Sequence, residues 1–156
     1  MKGFTLIETI VYMALLGLIM TGALLTTYDL IMSTSTSAGK TTVQEEGTFV
    51  VRKMDWALAD MSAAPTLGGS GCAQTLSVNK TGYSKNPVEF QRNTVNNTIE
   101  MREGGTGGYT AITTSNVSAT CLTFASIAAV GSGPAGVTAA TTITGLDFVT
   151  TAYVRK

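Results

Sequence analysis

Between Phe4 and Met32 only two residues are charged, Glu8 and Asp29, and most of the rest are Leu, Ile, Met, Ala, Val and Gly. A helix crosses a bilayer core with roughly 17 to 25 predominantly apolar residues, so this run is long enough to span. No soluble protein is expected to spend such a segment at the very start of its chain. Glu8 is the anomaly within it, because an ionised side chain near hydrocarbon costs about 2.5 to 3.5 kcal/mol on insertion scales and ordinarily marks a function or a partner. The neighbouring residues supply one cation: if the chain is cut after Gly3, the new α-amino group of Phe4 lies close to Glu8 of its own or an adjacent subunit. The other reading places Glu8 in the headgroup layer of a simple signal anchor, solvated there.

The segment Gly3-Phe4-Thr5-Leu6-Ile7-Glu8 followed by an apolar helix resembles the cleavage and methylation segment of type IV pilins and type II secretion pseudopilins. The resemblance covers about the first thirty residues. It implies a membrane prepilin peptidase that cuts between Gly3 and Phe4 and methylates the Phe4 amine, and a Glu8 that guides docking into a growing filament. The implied partners are that peptidase, other pilin or pseudopilin subunits, an inner-membrane assembly platform and membrane lipid. The implied location is the cytoplasmic (inner) membrane, single-pass with the C-terminal part outside the cytoplasm, and afterwards a pilus or pseudopilus. Two departures stand out. The leader Met1-Lys2-Gly3 has a single basic residue, and Leu24-Leu25-Thr26 stands where many major pilins carry a helix proline.

A conventional secretory signal is a poor description of this N-terminus, since Ala23 is followed by Leu24 and Leu25 rather than by a small-residue cleavage site. The positive-inside bias is also faint, with Lys2 on one side and Lys40, Arg52 and Lys53 far along the other. At 156 residues the chain suits one modest domain on one anchor. Net charge is zero and charged residues make up 13%, which argues against a basic nucleic-acid surface as the main business of the protein. Nucleic acid as a ligand of the C-terminal part stays open.

Cys72 and Cys121 are the only cysteines. An even count in an oxidising compartment favours a disulfide, with two free thiols as the alternative. Closing a loop of roughly 50 residues would stabilise the fold by about 4 kcal/mol in the chain-entropy model. No metal site is expected, because histidine is absent and neither cysteine has a partner at ligand spacing.

The first proline is Pro65, so one long helix is predicted from Phe4 to about Ser62. Its weakest stretch is Ser33 to Gly39, built from poor helix formers that would fray or hinge. Beyond it, Val43, Gly47, Val50, Met54, Ala57 and Met61 recur at spacings of four and three, the mark of one apolar helix face. That face is expected to pack on the chain's own sheet, with a partner helix as the alternative; Trp56, off the stripe, is expected at a buried edge of the core, or else against a neighbouring subunit, and Glu45, Glu46, Arg52, Lys53, Asp55 and Asp60 form a mixed-charge face that is solvated or, in a filament, sets subunit register. Strands are predicted near Thr75–Asn79, Val88–Arg92, Thr98–Arg102, Tyr109–Thr113, Ala119–Ile127 and Thr141–Val154. Phe90, Ile99, Met101, Leu122, Phe124, Leu146, Phe148 and Tyr153 are the expected inward residues. The predicted fold is α+β and pilin-like: a long N-terminal helix, membrane-embedded in its first half, on a C-terminal antiparallel β-sheet. The expected divisions are a leader at 1–3, a transmembrane and assembly helix at 4–32, an amphipathic continuation at 33–64 and a β-rich domain at 65–156.

Catalysis would need a nucleophile with a base, paired carboxylates or a metal cluster. None has credible spacing here. Glu89, Glu100 and Glu103 lie among Arg92 and Arg102 and read as ion pairs, so neither an enzyme nor a cofactor is expected. The leading expectation is a structural subunit, by the resemblance a minor one, of a type IV pilus or type II secretion pseudopilus. The alternative is a signal-anchored adhesin or DNA-binding module that does not polymerise.

Overall fold

The computed structural model describes residues 5–131 and 133–154, and of residues 35 and 36 only the backbone. The leader and the Gly3–Phe4 junction lie outside the described residues. Two compact units follow one another along the chain, divided between Lys40 and Thr41.

The first unit is helical. Helix α1 spans Leu6–Leu58, and Thr5 stands at its N-cap, its carbonyl accepting from the amides of Glu8 and Thr9. Apolar straight-chain residues without proline favour this conformation up to Met32. The polar stretch from Ser33 to Gly39, where fraying was expected, is helical as well. Thr9, Thr21, Thr26, Thr27 and Thr34 turn their hydroxyls back onto helix carbonyls three or four residues earlier. Each hydroxyl is thereby satisfied within the helix, which lowers the cost of presenting it to hydrocarbon. The apolar window is long and apolar enough to cross a membrane, and none of it is buried.

The second unit begins with the rest of α1 and continues into two antiparallel sheets. Strands β1 (Thr66–Gly68), β2 (Thr75–Val78), β3 (Val88–Asn93), β4 (Thr98–Glu103) and β5 (Thr110–Ala111) form a five-stranded sheet in chain order. Strands β6 (Ala119–Ile127), β7 (Gly136–Ile143) and β8 (Leu146–Tyr153) form a three-stranded meander. The helix contributes Val43, Val50, Met54, Ala57 and Leu58 to one core with Leu76, Val78, Val88, Phe90 and Ile99 of the larger sheet and Leu122, Phe124, Val137 and Ile143 of the smaller. The apolar stripe read from the sequence is thus buried along its whole length, Gly47 included. Each fully buried large side chain among these is worth about 1.5 to 3 kcal/mol of transfer free energy.

The seam between the sheets is polar and covalent at once. Cys72 and Cys121 are bonded, with an S–S distance of 1.98 Å. The amide of Leu122 donates to the Cys72 carbonyl at 3.0 Å, and that of Gln74 to the Leu122 carbonyl at 3.2 Å. The Gln74 side-chain oxygen accepts from the Phe124 amide, and Arg92 Nε donates to the Ala119 carbonyl at 2.6 Å. These contacts occupy the outer edge of β6, which would otherwise present open backbone groups.

Three expectations are corrected. The helix ends at Leu58 rather than near Ser62, because Asp60 adopts φ 58° and the chain turns to meet the end of β2. There Ser62 donates to the Asn79 carbonyl and Thr81 to that of Asp60, both at 2.9 Å. The predicted strand Thr141–Val154 is instead the end of β7, a two-residue turn and β8. Thr144 and Gly145 have φ of 47° and 81°, the paired positive values of a tight hairpin. A β-branched residue rarely accepts such a φ. Thr144 is held in it by its amide on the Ser118 carbonyl at 2.8 Å and by its hydroxyl, which accepts from the Ser118 amide at 3.1 Å. Finally, Leu146 and Tyr153 are exposed rather than inward, and Trp56 is 38% exposed rather than at a buried edge. In β8 the residues facing α1 are Phe148, Thr150 and Ala152, so Tyr153 falls on the opposite face, and Leu146 sits at the hairpin turn.

Candidate functional site

The candidate site is the start of α1. Glu8 is the third helical residue after the Thr5 cap, where first-turn amides and the helix dipole favour a carboxylate by roughly 0.3 to 1 kcal/mol. That offset is smaller than the helix-centre insertion cost of about 2.5 to 3.5 kcal/mol. The helix-centre figure is an upper bound for a residue in the first turn, so the uncompensated cost is at most about 3 kcal/mol. Among the described residues Glu8 forms no ion pair. Around it the helix surface is apolar and open, with Leu6 79%, Ile7 72% and Ile10 58% exposed.

The rest of the molecule offers stabilising contacts where the sequence raised the question of chemistry. Glu89 pairs with Arg102 directly across β3 and β4, Oε2 to Nη2 at 2.5 Å, and the same guanidinium lies over the Tyr109 ring at 4.5 Å. Glu100 accepts from Gln91 and Asn93 at 2.9 and 2.8 Å, while Glu103 lies 3.8 Å from Lys85. Arg92 bonds backbone and Asn97 instead of a carboxylate. No group of three metal-ligating side chains occurs among the described residues.

Three side chains have roles that sequence reasoning missed. Lys80 is buried and donates to the carbonyls of Trp56 and Ala59 at the C-terminal end of α1, while its ammonium lies 4.8 Å from the Trp56 ring. A cation belongs there, where the last helix carbonyls lack partners. Glu46 accepts from the amide and hydroxyl of Thr114, and Asp55 from the hydroxyl of Thr150. Two members of the mixed-charge face therefore fasten the helix, Glu46 to the segment between β5 and β6 and Asp55 to β8. A lone lysine twenty-two residues past the end of the helix gives no periodic signal by which to find it.

Residues 1–24 match a family model described as the prokaryotic N-terminal methylation motif. No curated protein and no solved structure matches the chain significantly.

Proposed function

We propose that this chain, whose methylation motif supports the type IV pilin and pseudopilin family, is a minor structural subunit of a type IV pilus or type II secretion pseudopilus. The motif implies processing by a prepilin peptidase and assembly with other pilin subunits, and the family is structural rather than enzymatic. In the proposal the peptidase cuts between Gly3 and Phe4 and methylates the Phe4 amine. The chain waits in the inner membrane with its sheets outside the cytoplasm, then passes through an assembly platform into the filament. The minor role rests on Leu24-Leu25-Thr26 standing where many major pilins carry a helix proline.

One observation carries the reading: a methylation motif opens a helix whose apolar window is wholly exposed. Lipid tails are as apolar as leucine, so moving that helix from bilayer to filament gains little hydrophobic free energy. Packing and charge must therefore supply the preference for the filament. Glu8 meets this need, because the Phe4 amine of a neighbour neutralises it on assembly. Mass spectrometry of the mature chain is expected to show an N-terminal methylphenylalanine at position 4. Glu8→Ala is expected to insert into membranes normally and to be lost from sheared filaments. An intact Met1, or normal incorporation of Glu8→Ala, would refute the proposal.

A further inference from the structure

The sheets of the second unit have four edges, at β1, β5, β6 and β8. Strands β1 and β5 are three and two residues long, and the outer edge of β6 is taken by Cys72 and Gln74. Strand β8 runs for eight residues and is paired on one side alone, with β7. Ile143 and Leu146 flank the two-residue turn between them and are therefore a hydrogen-bonded pair, so the even-numbered residues of β8 turn their amides and carbonyls toward β7. Asp147, Val149, Thr151 and Tyr153 turn theirs outward, and among the described residues no group meets them.

Edge strands are ordinarily kept from pairing by shortness, a proline, a lysine or a bulge. Strand β8 has none of these: its sequence holds no proline or lysine, and its register against β7 is unbroken. On its outer face Val149 and Tyr153 are 59% and 53% exposed. On the helix side Phe148, Thr150 and Ala152 are only half-buried, since no further strand covers their flank. We propose that this edge takes up an extended segment of another polypeptide, which joins the smaller sheet antiparallel to β8. Main-chain hydrogen bonds supply the affinity and alternate side chains the specificity. Charge sets the direction: Asp147 stands near the start of β8, and in the sequence Arg155 and Lys156 follow its end. A complementary antiparallel segment therefore begins with an acid and ends with a base. The choice of a foreign segment over a second copy rests on the minor role proposed above, since copies of a rare subunit seldom meet. The open edge itself lies in the second unit and is independent of the methylation motif.

The test uses the full-length chain in detergent and the end-blocked peptide Glu-Val-Thr-Val-Thr-Val-Thr-Val-Lys in two forms. Laid antiparallel with its lysine opposite Asp147, the peptide turns its threonine amides to β8 and its valine amides away. N-methylation of the valines leaves the pairing edge whole and stops the peptide stacking on itself, whereas N-methylation of the threonines removes that edge. At millimolar concentration the first form is expected to slow hydrogen exchange at the Val149, Thr151 and Tyr153 amides about tenfold or more, read by NMR against the already protected Phe148, Thr150 and Ala152. The second form is expected to leave them unchanged. Val149→Pro removes an outward amide and no ladder bond, and is expected to weaken binding about tenfold with Tm preserved. Exchanging the peptide's terminal Glu and Lys is expected to weaken it a few-fold. Slowing by both forms alike, slowing by neither, or equal binding to wild type and Val149→Pro would overturn the proposal; should that variant fail to fold, the two peptide forms decide alone. Equal affinity for the end-exchanged peptide would overturn the antiparallel pairing. Protection of the same amides without peptide, rising with protein concentration, would give the edge to a second copy and overturn the proposal too. All these results are separate from the N-terminal sequence and the Glu8 variant, on which the filament reading stands or falls.

Discussion

Replacing Gly47 by alanine should destabilise the protein, although alanine is the better helix former. Glycine in a helix interior costs about 1 kcal/mol relative to alanine, so on propensity alone Gly47→Ala is a gain. The Phe148 ring of β8 is seated on the glycine, and a Cβ built there falls 2.2 to 2.4 Å from three of its ring carbons. Ordinary carbon contacts lie near 3.5 to 4.0 Å, so the ring must retreat by about 1.5 Å. Overpacking of this kind costs about 1 to 3 kcal/mol, and since β8 is an edge strand with Phe148 half-buried, a value near 2 is reasonable. The net expectation is a loss of about 1 kcal/mol, or roughly 4 °C in Tm for a unit of this size. With Phe148→Ala already in place the obstacle is gone, and Gly47→Ala should then stabilise by about 1 kcal/mol. Urea unfolding of the full-length chain in detergent, followed by the fluorescence of the single tryptophan, Trp56, measures the cycle; that ring lies edge-on to Tyr83 at 5.4 Å. If Gly47→Ala stabilised both backgrounds equally, the ring would not be docked on the helix and the reasoning would fail.

Lys80→Met should cost about 2 to 3 kcal/mol, since two charge-assisted hydrogen bonds to helix carbonyls are lost; a urea midpoint shift with unchanged slope would show it. Replacing Cys72 and Cys121 together by serine should cost up to about 4 kcal/mol, seen as a fall in Tm that matches the effect of a reductant on the wild type. The Tyr83 phenol is raised above its ordinary value of 10.0 by burial and then by the Glu103 carboxylate. The Tyr109 phenol is raised by burial and then by Glu89, with Arg102 opposing. A raised phenol stabilises the fold fully below its unfolded value and loses that contribution as pH climbs through the folded one. Tm should therefore hold up to about pH 10 and then decline, and less steeply in a variant with both tyrosines changed to phenylalanine.

The helix and most of the larger sheet were legible because their patterns are local. Val43 to Met61 follow a helical period strong enough to name the buried face residue by residue, and β3, β4 and β6 alternate in the usual way. β7 was hidden because Gly136, Ala139 and Ala140 resemble loop composition; it is a strand by virtue of its two neighbours. The hairpin at Thr144-Gly145 was hidden because its φ values are imposed by Ser118, twenty-six residues earlier. The early helix end likewise depends on β2 and Lys80, whose claim on the chain is tertiary. In the candidate site Glu8 was conspicuous as a charge among apolar residues, whereas its place after the Thr5 cap needed the helix start to be located.

The bond between Cys72 and Cys121 has a mechanical corollary. Strands β2 to β5 lie inside the covalent loop it closes, forty-nine residues of sequence separation, equivalent to roughly 170 Å of extended chain. When the protein is stretched from both ends, tension crosses at the sulfurs and that entire segment drops out of the load path. Only the parts before Cys72 and after Cys121 are free to lengthen, so the chain under traction pays out less slack than its residue count allows.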